Sequence, residues 1–368
     1  MIPVFKPLLS GKELKNLSQC VKYKWFSSNG KFNLQLEKEI NKLTKRKFSS
    51  CVSNGTVALE LALKSLNIKA GSEVIVPAFT IISPILAIIR NNLKPIFVDS
   101  EKKNWSMNAA EIERKINKKT KAIIVVHTYG FPADMDKILK LKKKYNLYLI
   151  EDAAEMHGQF YKKYPCGSFG EISTFSFYAN KFISCGEGGI VCTNSKKIKN
   201  RIDQLKNLSF GKKNRFSHEE LGYNYRLSNL QAAVACAQIR NLRNIILKKR
   251  RIGNLYNKYF ENNKKIELLP CKNEYAKNIY WVYGLLIKNN LKKKLVNHLK
   301  KKGIETRDFF VSMQNQPILK ELKILKKKYK FPIANHLEKS GIYIPSGPDI
   351  SKKHIHFISK TINNFLLK

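Results

Sequence analysis

The chain has 368 residues, 43% of them apolar, and carries 69 basic against 27 acidic side chains for a formal net charge of +42. That apolar fraction excludes a disordered polymer, and the length exceeds the roughly 250 to 300 residues at which a single core stops growing, so two domains are expected. The longest apolar stretch, Val74 to Ile89, is broken by Pro77, Ser83 and Pro84 and falls short of the about 20 residues a membrane span requires.

The first residues, Met-Ile-Pro-Val-Phe-Lys, lack the basic segment and apolar run of a secretory leader, and a cytoplasmic protein with no membrane partner is expected. Cysteines 20, 51, 166, 185, 192, 236 and 271 are odd in number and never form a Cys-x-x-Cys pair. They read as reduced thiols, with neither a disulfide framework nor a zinc site. His354-x-His356 has no third ligand near it in sequence, so no metal is expected.

The charge would attract nucleic acid or anionic metabolites. Yet the lysines lie in runs along the whole chain, Lys140-Leu-Lys-Lys-Lys144, Lys292 to Lys294, Lys300 to Lys302 and Lys326 to Lys328, each beside apolar residues at helical spacing. That is the pattern of solvated helix faces. No nucleic-acid recognition module accompanies the charge, so no nucleic-acid partner is expected.

In chain order, periodicity predicts a helix over 56–68, a buried strand over 73–77, a helix over 81–91 and a strand over 95–99. A helix over 109–117, a strand over 122–127, a helix over 135–145 and a strand over 147–151 continue the series. The alternation implies an α/β fold with a mostly parallel sheet covered on both faces. Such sheets place ligands beyond the carboxyl ends of their strands. Past Asn229 a long helical pattern runs to Phe260, followed by mixed elements that include a strand-like stretch over 279–287. A boundary near residue 245 divides a large domain, 1–245, from a smaller α+β domain, 246–368.

Three features at the predicted strand ends can form one site. Ser53-Asn-Gly-Thr56 precedes the first of these helices, and its hydroxyls, close backbone approach at Gly55 and helix N-terminus suit a phosphate; the same residues also make an ordinary turn and cap. Leu147-Tyr-Leu-Ile-Glu-Asp-Ala-Ala-Glu155 carries Asp152 to the mouth of the sheet, where a carboxylate needs a cation such as a pyridinium nitrogen, or else caps a helix. Lys181, with Ser176 five positions before it, follows an apolar strand and precedes Gly186-Glu-Gly-Gly189. A desolvated amine there is a nucleophile able to form a Schiff base. Phosphate cradle, carboxylate and lysine, in that order, are what pyridoxal phosphate requires.

The blocks Trp25-Phe-Ser-Ser-Asn-Gly30, Ser53-Asn-Gly-Thr56, Val76-Pro-Ala-Phe-Thr80, Val126-His-Thr-Tyr-Gly130, Glu151-Asp-Ala-Ala-Glu155, Thr174-Phe-Ser-Phe-Tyr-Ala-Asn-Lys181, Gly186-Glu-Gly-Gly189 and Gly222-Tyr-Asn-Tyr-Arg226 stand in order along the chain. Together they resemble the DegT/DnrJ/EryC1/StrS sugar-nucleotide aminotransferases of fold type I. The resemblance implies that Lys181 carries the cofactor as a Schiff base and Asp152 holds its ring nitrogen. Glu155 would lie near the phenolic oxygen, where many relatives have glutamine. Gly55, Thr56 and Ser176 would hold the phosphate, with Asn224 reaching across from the other subunit of a homodimer. Relatives often stack an aromatic on the ring at the position of Ile81. Through Thr306-Arg-Asp-Phe-Phe310 the resemblance also implies that Arg307, Phe309 and Phe310 would lie near the nucleotide sugar, with Asp308 where relatives often have proline. The expected donor is L-glutamate and the expected acceptor a nucleotide-linked 4-keto-6-deoxy sugar, with GDP-4-keto-6-deoxymannose foremost. A family-type dehydratase has histidine at the lysine position, and Lys181 argues against it.

Overall fold

The structure is a computed structural model that describes residues 1–211, 213–325 and 330–367; the run Lys326 to Lys328 lies outside these residues. Two amphipathic helices, α1 (Lys12–Lys22) and α2 (Lys31–Thr44), lead into strand β1 (Phe48–Val52). The alternating series follows as α3 (Gly55–Ser65), β2 (Glu73–Pro77), α4 (Ser83–Arg90), β3 (Lys94–Val98), α5 (Ala109–Lys115), β4 (Thr120–Val126), α6 (Met135–Lys144) and β5 (Tyr148–Asp152). A short hairpin, β6 (Phe160–Tyr161) and β7 (Tyr164–Pro165), precedes β8 (Ile172–Ser176), β9 (Gly189–Thr193) and α7 (Lys196–Lys206).

These strands form a 7-stranded sheet in the order β1-β9-β8-β5-β4-β2-β3, with β6 and β7 paired separately. Only β9 runs against the others, pairing antiparallel with both β1 and β8. Strands β4, β5, β8 and β9 are buried along nearly their whole length because helices cover both faces, which is why they read as unbroken apolar runs. The four strands predicted for this sheet agree with the observed ones to within two residues at each end. The predicted helix over 81–91 begins later, at Ser83, with Pro84 in its first turn, where a missing N–H costs nothing. Lysines 140 to 144 lie on α6 as expected, most of them exposed.

The long pattern after Asn229 is a single helix, α8 (Asn229–Phe260), opened by a capping box in which the Ser228 hydroxyl accepts from Gln231 N–H. Beyond it come β10 (Ile266–Leu268), β11 (Tyr283–Ile287), α9 (Lys292–Lys301), β12 (Arg307–Asp308), α10 (Pro317–Glu321), α11 (Pro332–Ser340), β13 (Gly341–Ile344) and α12 (Lys352–Leu367). The four strands make a second sheet, β10-β11-β13-β12, with antiparallel pairing throughout. The first part of α8 packs into the main core through Ala232, Ala233 and Cys236. Its last turns enter a second apolar cluster through Ile252, Tyr256 and Phe260. Among the described residues no helix is long and apolar enough to cross a membrane.

Candidate active site

The carboxyl ends of β1, β2, β4, β5 and β8 open on one side of the main sheet, and the segments that leave them line a cavity of ≈ 560 Å³. Gly55, Thr56, Ile81, Asp152, Glu155, Ser176, Lys181 and Phe310 all border it. At the end of β1, Asn54 caps α3 by accepting from Val57 N–H at 3.0 Å. The cap and the cradle therefore coexist: Asn54 closes the helix, while Gly55 and Thr56, in its first turn, face the cavity. Thr56 Oγ1 shares a hydrogen bond of 2.8 Å with Ser83 Oγ, which draws α4 into the same wall. Gly55 has no room for a side chain, since a Cβ there would stand 2.8 Å from that of Ser176.

Asp152 ends β5 and is 4% exposed. No helix follows; its Oδ1 accepts from Ala154 N–H at 3.1 Å in a local turn. Burial raises its pKa, and among the described residues it has no ion-pair partner. The nearby Lys181 amine opposes that rise, and an ionised carboxylate in that position suits a further cation held against it. Glu155 is also buried; its Oε2 accepts from Tyr129 N–H at 2.7 Å, and its Oε1 lies 3.8 Å from Lys181 Nζ. Burial pushes Glu155 up to about 8, with the Lys181 amine opposing the rise. Burial lowers the Lys181 pKa, with Glu155 and Asp152 opposing the fall.

Lys181 does not end a strand. β8 stops at Ser176, and the chain turns so that Lys181 N–H donates to Tyr178 O at 2.9 Å, five residues on. The turn brings the amine back over the mouth of the sheet, which a straight strand could not do. Its side chain is 11% exposed. The predicted strand over 279–287 likewise starts late, at Tyr283, because Tyr280 adopts a left-handed φ of 51° that breaks the extended run. As a result Trp281 enters the cavity, with Lys181 Nζ 3.7 Å from its ring centroid.

The remaining predicted residues fall in different places. Phe310 lines the cavity and its N–H donates to Tyr129 Oη at 3.2 Å. Phe309 is 3% exposed, packed 4.6 Å from the Tyr129 ring in the core behind. Arg307 is exposed and pairs with Glu305 at 2.7 Å. Asn224 is exposed, does not border this chain's cavity, and accepts from Arg226 Nη2 at 2.7 Å. Sequence reading missed Trp281, Tyr343, Ser83 and Arg90 in the lining. Ser83 and Arg90 arrive with α4, just after Ile81, whereas Trp281 and Tyr343 are brought here by contacts distant in sequence, of which periodicity carries no sign.

A lysine and two buried carboxyl groups converging at the strand ends of a mostly parallel sheet define a pyridoxal phosphate enzyme of fold type I. The cofactor fits the residues present: Gly55 permits close approach, and among the described residues Asp152 has no ion-pair partner and the buried Thr174 hydroxyl beside the cavity has no hydrogen-bond partner. The chain belongs to the DegT/DnrJ/EryC1/StrS aminotransferase family, whose model matches residues 7–363. It is similar to the GDP-perosamine synthase of Escherichia coli O157:H7, 40% identical across 99% of this chain and 98% of that protein. The GDP-perosamine synthase of Vibrio cholerae is 36% identical over 99% of both. Among solved structures, Helicobacter pylori PseC, an aminotransferase involved in the biosynthesis of pseudoaminic acid, shares the fold at TM-score 0.93 and 21% identity, covering 100% of this chain and 99% of that one. The protein is thus a pyridoxal-phosphate-dependent sugar-nucleotide aminotransferase.

Proposed function

We propose that the chain moves the amino group of L-glutamate to C4 of GDP-4-keto-6-deoxy-D-mannose, giving GDP-perosamine for surface glycan synthesis. The end-to-end likeness to two proteins named for that product supports the acceptor. The observation that carries the reaction type is Lys181: an amine in the cavity wall, 3.8 Å from Glu155, in a site whose other carboxylate has no ion-pair partner among the described residues.

When bound, pyridoxal phosphate supplies an electron sink for the carbon that loses its proton. The chain's residues do the rest. Asp152 holds the ring nitrogen, and its burial strengthens that contact. Gly55, Thr56 and Ser176 take the phosphate at the N-terminus of α3. Asn224 of a second copy completes that pocket in a homodimer, a reading supported by exposed apolar side chains at Trp25, Phe26, Phe216 and Leu221. Ile81 covers one ring face, Glu155 meets the phenolic oxygen, and Phe310 with Arg307 borders the sugar nucleotide, Phe309 backing Phe310. Lys181, once free, takes a proton from the donor's α-carbon and returns one to the acceptor's C4. The domain boundary near residue 245 falls inside α8, supported by the second apolar cluster that starts at Ile252.

A UDP- or dTDP-linked keto sugar, aminated at C4 or C3, is the competing substrate. The test is a mass-spectrometric screen of GDP-, UDP- and dTDP-4-keto sugars with L-glutamate. The GDP sugar should gain an amine, and the purified protein should show visible absorbance that bleaches on adding L-glutamate and is missing in Lys181→Ala. Amination of only a UDP or dTDP sugar would replace the acceptor; retained absorbance in Lys181→Ala would sink the lysine assignment.

A further inference from the structure

Trp281 comes from the segment before β11, far along the chain from Lys181, yet it forms the wall on which the lysine rests. The Lys181 amine lies 3.7 Å from the indole centroid, as close as it lies to Glu155 Oε1 at 3.8 Å. Three contacts fix the ring in that place. Its Nε1–H donates to the carbonyl of Asn180, the residue before the lysine, at 2.9 Å. Its face stacks at 27° on Tyr129, the residue whose N–H holds Glu155. Its backbone packs so tightly on Gly130 that a Cβ there would come within 2.7 Å of Trp281 N, and Gly130 itself has a φ of 92°. Trp281 as a residue is 4% exposed, so its ring is held by packing and not by solvent.

A buried ammonium needs a negative surface, and three groups offer one: the Glu155 and Asp152 carboxyl groups and a π face. Burial raises the pKa of Glu155 and of Asp152 alike, which weakens their pull on the amine. The indole face keeps its quadrupole at every pH. We propose that Trp281 is the positioning residue of this site, its indole face the seat that receives the Lys181 amine when that amine is free of the cofactor and carries a proton. The lysine thus holds the proton it takes from the donor's α-carbon against the cavity wall until it passes that proton on within the same half-reaction, and it is a neutral base again when the keto sugar arrives. Asn180 tethers the seat to the lysine's own turn, so the two move together. This inference rests on the reading of Lys181 as the cofactor-bearing lysine.

The test uses the full chain stripped of cofactor with hydroxylamine. Added pyridoxal phosphate is followed by absorbance and by mass after borohydride reduction, across a range of pH. The neutral amine adds to the aldehyde and water leaves, so the midpoint of the rate profile reports the protonation of Lys181. Trp281→Leu keeps the wall apolar but removes the π face; its midpoint should fall by about half to one pH unit. Trp281→Phe keeps a smaller face and loses the bond to Asn180; its midpoint should fall less, and attachment should slow a few-fold. A wild-type midpoint and rate in Trp281→Phe, or an unmoved or raised midpoint in a folded Trp281→Leu, overturns the inference. Failure of the wild-type chain to attach the cofactor at Lys181 would instead overturn the reading beneath it.

Discussion

His157 sits at 0% exposure with its ring 5.2 Å from Phe175 and 5.8 Å from Phe177, and neither ring nitrogen has a hydrogen-bond partner among the described residues. Burial holds its pKa down to about 3, so the folded chain keeps the ring neutral. Because the folded value lies below the unfolded one, the stability this brings is present above pH 6.5 and is lost as pH falls from 6.5 toward 3. An unpaired buried polar group also costs about 1–3 kcal/mol. His157→Leu should therefore melt higher than wild type at neutral pH, with an advantage that widens at pH 5. Equal melting temperatures at both pH values would refute this. Nothing in the sequence marked His157, since spacing tells which way a residue points and not whether its nitrogens find partners. Lys181 was legible because its neighbours were unusual, an apolar run before and a glycine turn after. The group opposite it was less so: Glu155 was placed by likeness to relatives, while its shared burial with the amine emerged only from packing.

Helix α8 is the element that sequence and structure describe most nearly alike, predicted from residue 230 and observed from Asn229. Its capping box and long apolar stripe are local features, so the pattern suffices. What local pattern hides is Lys249, 1% exposed within that helix, whose amine donates to the carbonyl oxygen of Ser346 and, at 3.2 Å, to its Oγ. Burial lowers its pKa from 10.5 to about 7. The folded value again lies below the unfolded one, so stability present above pH 10.5 is lost as pH falls toward 7, by up to about 5 kcal/mol. Lys249→Met should melt higher than wild type at pH 6, and the gain should shrink by pH 10. A gain that is constant with pH would show that the amine is not the cause. The two elements read least well, β8 with its turn to Lys181 and the stretch before β11, share a reason. In both, a run of strand-forming residues continues past the point where the backbone turns, and tertiary contacts set the turn: Phe177 N–H donates to Gly188 O, and Ile279 N–H to Gly130 O.

At the scale of the whole molecule, the shared-site reading makes a prediction of its own. If Asn224 serves the neighbouring copy's cofactor, Lys181→Ala and Asn224→Ala chains should each be nearly inactive alone. Mixed after mild unfolding, they should recover about a quarter of wild-type activity, because half the dimers are mixed and each mixed dimer has one intact site. No recovery from refolded dimers would exclude sharing. The charge of +42 belongs to this scale as well. The lysine runs on α6 and α9 lie on solvated helix faces, as their spacing implied. Alternation of strand and helix, the cap at Ser53 to Thr56 and the lysine among its motifs were determined by the sequence alone, because each depends on residues within a few positions of one another. The tertiary structure alone decided which groups face the amine. Trp281 stands 100 positions from Lys181, and its place over the lysine depends on the left-handed Tyr280 and the glycine at 130, contacts that no local pattern records.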